Sequence, residues 1–176
     1  MRPRILPTRN GHNDGITYAS VPEFGDGGEG IIKRNGKRSR QFDEVSQLNH
    51  EIRVLAPVLC SLRSDAVYHV GRMPKLGHPL PKDGLVRTVE GGDAVVSYLS
   101  DARGSRYAAI VKKDYATGHS ITIRFQSPVR LETISPRNGQ PEATAGTSPE
   151  RDCQDAFVLV FGPGEGKLFK VDELKR

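Results

Sequence analysis

The stretch that decides the fold class is 119–125, which reads HSITIRF. Its apolar residues, Ile121, Ile123 and Phe125, alternate with polar ones. Successive side chains of a β-strand point to opposite faces, so this alternation predicts a strand with one buried face and one solvated face. We therefore expect a sheet that covers a core with one of its faces.

Seven further β-prone runs lie on either side of this stretch, and segments with turn-forming residues separate most of them. They are found at 67–70, 85–89, 94–101, 105–113, 129–134, 157–161 and 167–171. Strands this close along the chain are mostly antiparallel, because a parallel pair needs a connection of about a dozen residues or more. The predicted fold class is mainly β: an antiparallel β-sandwich or open barrel of about eight strands, preceded by one short strand and one amphipathic helix.

One segment before these runs has helical periodicity. Its apolar residues recur at spacings of three and four, and they are Phe42, Val45, Leu48, Ile52, Leu55, Leu59 and Leu62. That spacing places them on one face of an amphipathic helix over 42–62. Ser39 is the candidate N-cap. Pro57 is expected to kink the helix or to separate a short turn at 58–62, because proline has no N–H to donate.

These patterns divide the 176 residues into three parts. Residues 1–14 predict an irregular lead-in, and 15–64 predict a strand within 15–21, a loop and the helix. Residues 65–176 are expected to form the β-sandwich domain. Within that domain, 135–148 has no periodicity and predicts a long surface loop.

The chain carries a net charge of +5, from 26 Lys and Arg against 21 Asp and Glu. Its dense basic segment, 33–40, lacks the interleaved aromatic residues that stack on bases, so solvated surface is expected there and nucleic-acid binding is the less favoured alternative. The longest apolar runs, such as 157–161, are far shorter than a membrane-spanning helix, and the first residues contain no apolar signal-peptide core. We expect no membrane partner and a cytoplasmic location.

No catalytic or metal-binding motif occurs in the sequence. The glycine-rich segment 162–167 lacks the spacing of a phosphate-binding loop and predicts a hairpin turn. The five histidines and two cysteines form no metal-ligand pattern, and Cys60 is expected to be a buried thiol, with a disulfide to Cys153 as an open alternative. Glu23 and Glu29 adjoin a glycine-rich loop, and solvated surface carboxylates are the favoured interpretation of both. We expect no cofactor and no metal.

Six short motifs follow one another along the chain. They are GITY at 15–18, NGK at 35–37, FDEV at 42–45, LNHEI at 48–52, VYHVG at 67–71 and GPGEGKLF at 162–169. Together they resemble the C-terminal region of bacterial TIM-barrel glycoside hydrolases, including β-galactosidase-like members. The resemblance implies that 15–64 corresponds to the last strand and helix of a barrel, followed by a β-sandwich. The catalytic glutamates of that family come from earlier barrel strands, so the resemblance implies that this chain is not itself an enzyme and holds no catalytic residue.

The favoured function is a non-catalytic accessory or structural domain of a glycoside hydrolase, truncated or separately encoded. Its expected partner is a catalytic barrel or a second copy of the chain, bound through the apolar face of helix 42–62, and we expect self-association without that cover. The alternative is a carbohydrate-binding module in which Tyr98, Tyr107 or Tyr115 stacks on a sugar ring. By resemblance, Tyr18 is a further candidate carbohydrate contact, although an ordinary half-buried strand tyrosine is the favoured interpretation.

Overall fold

The computed structural model describes residues 3–5, 16–18, 31–32, 36–144 and 154–173. The chain divides into two compact units, 1–53 and 54–176. The boundary between the two units comes after Arg53, inside the helix Arg40–Leu59.

The first unit begins with a two-stranded antiparallel ladder. Strand β1, Pro3–Ile5, pairs with β2, Ile16–Tyr18. The strand predicted within 15–21 is found as β2, but the lead-in predicted to be irregular over 1–14 contains β1. That prediction was wrong because β1 has only three residues, and so short a run has no periodicity that could reveal it.

The predicted amphipathic helix is found as α1, Arg40–Leu59, which ends before Leu62, the last residue predicted on its apolar face. Ser39 is buried immediately before it, and the carbonyl oxygen of Ser39 accepts the N–H of Phe42 at 3.0 Å. The hydroxyl of Ser39 donates to the carbonyl oxygen of Ile31 at 3.0 Å, so this side chain ties the preceding segment to the start of the helix. Within the described part of the chain, no helix has the uninterrupted apolar length that crossing a bilayer would require.

Pro57 lies inside α1 and does not end it. Because Pro57 lies in the last turn of the helix, its missing N–H removes a hydrogen bond only near the helix end. The N–H of Cys60 still donates to the carbonyl oxygen of Ala56 at 2.8 Å. A tighter turn follows directly, since the N–H of Ser61 donates to the carbonyl oxygen of Val58 at 3.0 Å. The turn predicted at 58–62 is thus not separated from the helix at Pro57, because α1 continues to Leu59 and the tighter turn only follows its end.

The second unit is built on eight antiparallel strands. In chain order they are β3 Arg63–Val70, β4 Val86–Glu90, β5 Ala94–Ser100, β6 Arg106–Lys112, β7 His119–Ile134, β8 Pro141–Ala143, β9 Gln154–Phe161 and β10 Gly166–Glu173. They hydrogen-bond in the order β3-β5-β6-β10-β7-β4, and β8 and β9 also pair with β7. The predicted mainly β fold of about eight antiparallel strands, with one helix before them, is confirmed.

Strand β7 belongs to two layers and curls the sheet around its core. Up to Phe125 it pairs with β4 and β9, and from Val129 onward it pairs mainly with β10 and β8, with one further pair between Val129 and Gln154 of β9. The ladder with β9 shifts register between Arg124 and Val129, and strands change layers at such irregularities. The two strands predicted at 119–125 and 129–134 are therefore one continuous strand.

The core lies between the β4–β7–β9 layer and the β3–β5–β6–β10 layer. It consists of Val86, Val89, Ala94, Val96, Ala108, Ile110, Ile121, Ile123, Phe125, Val129, Leu131, Phe157, Leu159, Phe161, Phe169 and Val171. The three apolar positions of the opening stretch, 121, 123 and 125, all face inward as predicted. Phe125 and Phe157 join the strands edge to face, with their ring centroids 5.7 Å apart.

The glycine-rich segment 162–167 forms a tight turn between β9 and β10. Gly164 has a φ of +63°, which glycine adopts without steric cost, and the N–H of Glu165 donates to the carbonyl oxygen of Gly162 at 3.3 Å. The turn is confirmed, but the predicted hairpin is wrong. Strand β9 pairs with β7, whereas β10 pairs with β6 and β7. The strands belong to different layers, so this turn passes from one layer to the other.

The predicted surface loop 135–148 contains a further short strand, β8, which pairs with the end of β7. Gly139, in the turn before β8, is buried with a φ of +72°. A Cβ atom at Gly139 would lie 2.9 Å from the carbonyl oxygen of Val54. The turn therefore approaches the last turns of α1 at a distance that only glycine permits without rearrangement.

Candidate functional site

A cleft of about 460 Å³ lies beside the turn that joins β5 to β6. We call it the tyrosine cleft, and it is lined by Asp65, Tyr68, Pro81, Asp83, Gly84, Leu85, Tyr98, Leu99, Ser100, Gly104, Arg106 and Tyr107. Strands β3, β5 and β6 contribute most of these residues, the segment before β4 contributes four, and Gly104 comes from the turn between β5 and β6. The cleft thus lies at one end of the layered core.

Two tyrosines from neighbouring strands meet in this cleft. In the β3–β5 ladder Tyr68 is opposite Val96 and Tyr98 is opposite Ala66, so the two tyrosines are diagonal neighbours on one face of the sheet. Their ring centroids are 5.2 Å apart and the rings are inclined by 64°. This edge-to-face geometry presents two aromatic surfaces at different angles.

The hydroxyl of Tyr98 connects the two layers. It accepts the N–H of Val86, the first residue of β4, at 2.9 Å, and its oxygen lies 3.5 Å from the carbonyl oxygen of the same residue. Burial raises the pKa of Tyr98, while the bond from Val86 acts in the opposite direction. Tyr98 is therefore a neutral, anchored side chain at neutral pH.

Charged groups stand around the aromatic pair. A hydrogen bond with the Ser100 side chain lowers the pKa of Asp65, and Arg63, 3.0 Å from its carboxylate, adds to this effect. Arg106 forms an exposed ion pair with Glu173 at 2.9 Å. With an ionised carboxylate, a guanidinium and a hydroxyl beside aromatic rings, the cleft can hydrogen-bond a polyhydroxylated ligand while stacking on its apolar side.

The predicted tyrosines are not all in one place. Tyr98 and Tyr107 both line the tyrosine cleft, but Tyr107 is opposite Leu99 in the β5–β6 ladder, so it belongs to the other sheet face from Tyr98. Tyr115 is 79% exposed in the loop after β6, and it does not line this cleft. Tyr18 is in β2, and its side chain lies outside what the structure describes.

Tyr68 is a cleft residue that the sequence analysis did not select. It occurs in an ordinary β-prone run, and nothing in that run distinguishes it from a core or surface tyrosine. Its proximity to Tyr98 follows from the register of β3 on β5, which is set by pairing between distant segments. The sequence carries only one indication of this tyrosine pair, which is an aromatic residue in each of two β-prone runs.

A buried lysine organises the loop from β6 to β7. Lys112 is 1% exposed, and its Nζ donates to the carbonyl oxygen of Thr117 and, at 3.4 Å, to that of Asp114. Hydrogen bonds from the Thr117 hydroxyl and the Ala116 N–H, together with nearby Lys112, hold the pKa of Asp114 well below its usual range. These groups satisfy one another within the loop, so the cluster is structural.

The described residues contain no group of three or more His, Cys, Asp and Glu side chains that could hold a metal ion. Cys60 is free and exposed, so its prediction as a buried thiol was wrong. The residue follows the last position of α1, where the chain turns toward β3 and the apolar stripe no longer sets its orientation. Cys153, Glu23 and Glu29 lie outside the described residues.

A second cleft, also about 460 Å³, runs along the first half of α1. It is lined by Ile31, Phe42, Val45, Ser46, Asn49, His50 and Arg53. None of the described side chains between 41 and 59 is buried; even Leu48 and Leu59 are 39% and 41% exposed. We call the residues Phe42, Val45, Leu48, Ile52, Leu55 and Leu59 the α1 face.

Comparison with known proteins yields no relative. No protein-family model matches the sequence, no curated protein matches it, and no solved structure matches the fold.

Proposed function

We propose that this chain is a non-catalytic accessory domain, related to the C-terminal region of TIM-barrel glycoside hydrolases, that docks on a catalytic barrel through the α1 face. The observation that carries the proposal is the incomplete burial of that face: six apolar residues at helical spacing, none of them buried. The β-sandwich has a closed core of its own, whereas α1 has none.

The physical argument concerns the stability of the helix. A helix of 20 residues draws most of its stability from burying its apolar face against other structure. The α1 face has the apolar composition of a helix face that packs on a core, but its side chains are not buried. A barrel that lacks its last helix would present the complementary apolar surface, and covering roughly half of a leucine side chain contributes on the order of 1 kcal/mol.

Hydrogen exchange tests this proposal. In the chain alone, amides of α1 are expected to exchange orders of magnitude faster than those of β5 and β6, because uncovered elements open at a small free-energy cost. Leu48→Glu should change the free energy of unfolding by less than about 0.5 kcal/mol, as at other surface positions. Leu131→Glu, at a buried position, is the control and should be strongly destabilising.

The partner is tested in the same assay. A β-galactosidase-like barrel truncated before its last strand should slow exchange in α1, and the Leu48→Glu variant should lose that protection. Protection of α1 equal to that of β5 in the isolated chain would contradict the proposal. So would turnover of nitrophenyl glycosides by the purified chain that a Glu23→Gln substitution abolishes.

A second candidate function, carbohydrate binding, is favoured by the tyrosine cleft. Sugar rings have an apolar face that stacks on aromatic side chains and hydroxyls that bond to carboxylates and guanidinium groups. The cleft brings Tyr68 and Tyr98 together with Asp65 and Arg106 on its wall. Its volume of about 460 Å³ falls within the range of small-molecule sites.

Titration calorimetry with galactan, xylan and cellulose oligosaccharides tests this second function. Tyr68→Ala is expected to weaken binding roughly tenfold or more, because a stacked ring contributes on the order of 1–3 kcal/mol. Tyr115→Ala is the matched control, since that exposed tyrosine lies outside the cleft, and it should leave binding unchanged. The absence of heat with every oligosaccharide, or the reverse response of the two variants, would refute carbohydrate binding in the cleft.

A further inference from the structure

The described sheet ends in four strands that each form a ladder on one side only: β3, β4, β8 and β9. A free strand edge exposes unpaired N–H and C=O groups and can pair with another chain, so proteins protect such edges with charges, prolines, short length or a covering loop. Three of the four edges have such protection. Strand β9 does not.

The protected edges differ in the means they use. Strand β3 carries Arg63 and Asp65 and is partly covered by its own loop, because the N–H of His69 donates to the carbonyl oxygen of His78 at 2.7 Å. Strand β4 has five residues, two of them exposed and charged. Strand β8 has three residues and begins with Pro141. Each of these edges is a poor template for a further strand.

Strand β9 has eight residues, Gln154–Phe161, and its single charge is Asp155 near one end. On its outward face Val158 and Val160 are 60% and 72% exposed. Their partners on β7 are Thr122 and Ser120, side chains too small to cover them. A long edge with a single charge near one end and with exposed β-branched residues is the type that binds another strand.

We propose that the β9 strands of two copies of this chain pair antiparallel and form a symmetric dimer. Pairing centred on Val158 places Val158 opposite Val158 and Val160 opposite Ala156, which joins the exposed apolar side chains across the new ladder. Asp155 falls opposite Phe161, so the two carboxylates are separated by about 20 Å at the rise of a β-strand. The apolar side chains of the strand therefore match those of a second copy, and its single charge is not brought against its own copy.

The dimer joins the two β4–β7–β9 layers into one continuous sheet. The inward-facing Phe157 and Leu159 of the two copies then lie side by side on the core face of the joined sheet. Val158 and Val160 of the two copies form an apolar strip on its solvent-exposed face. This contact is isologous, since the same patch serves both copies. It uses β9 only, so it is independent of the α1 face and of its proposed barrel.

Analytical ultracentrifugation of the full chain over a wide concentration range tests the dimer. The unmodified chain should reversibly dimerise. Val158→Lys places two like charges directly opposite each other at the centre and should raise the dissociation constant roughly tenfold or more. The matched control is Val111→Lys, which is similarly exposed at 40% but lies on β6, whose two edges are both paired. That variant should still dimerise.

A cysteine variant tests the pairing register even if the lysine variant folds poorly. In a background with Cys60→Ser and Cys153→Ser, Val158→Cys should form an intermolecular disulfide on oxidation, and Val111→Cys should not. A chain that stays monomeric at every concentration overturns the proposal, as does a dimer that resists Val158→Lys and gives no Val158→Cys crosslink. A dimer lost in Leu48→Glu but kept in Val158→Lys would assign the contact to the α1 face instead.

Discussion

Phe125→Ala is expected to lower the free energy of unfolding by about 3–5 kcal/mol, a large part of the total stability of a domain of this size. Phe125 is 2% exposed and lies where β7 passes from one layer to the other. Its ring meets Phe157 of β9 edge to face, at an angle of 89°. The substitution removes this pair and leaves a cavity at the point where two ladders converge.

Urea unfolding followed by circular dichroism measures the effect. The matched control is Arg124→Ala on the same strand, since Arg124 faces solvent and forms an exposed ion pair with Glu90 at 3.4 Å. Such pairs contribute roughly 0–1 kcal/mol. A loss below about 1 kcal/mol for Phe125→Ala, against the range for buried aromatic truncations, would show that the site collapses or that the core is not packed as described.

Lys112→Met is expected to lower the free energy of unfolding by roughly 2 kcal/mol. Methionine keeps the apolar stem but removes the ammonium group that bonds the carbonyl oxygens of Thr117 and Asp114. The Asp114 carboxylate, 3.5 Å from Nζ, is partly exposed, so water compensates for part of the loss. The turn from β6 to β7 would lose its internal anchor.

Lys82→Met serves as the control for charge and composition, because Lys82 is exposed. Hydrogen exchange should show faster opening of the loop after β6 in Lys112→Met only. Equal stability of the two methionine variants would mean that the buried ammonium group adds nothing beyond its stem.

The tyrosine cleft shows how much of a candidate binding site a single sequence can predict. Tyr98 and Tyr107 were selected because aromatic side chains are suited to stacking, and both do line the cleft. The same criterion selected Tyr115, which lies in an exposed turn, and passed over Tyr68. Residue type identifies candidates, but only strand register decides which of them meet.

The sequence by itself determined most of the local structure of this protein, although it did not predict the three-residue strands β1 and β8. Alternation in 119–125 and in the runs around it predicted the strands, and spacings of three and four predicted α1, because periodicity reflects burial within one element. Tertiary structure alone decided that β7 is a continuous strand shared by two layers, that 162–167 joins strands that do not pair, and that Lys112 is buried. Those features depend on pairing between segments far apart in the chain, and the free energy of such pairing is distributed over many contacts that no short stretch encodes.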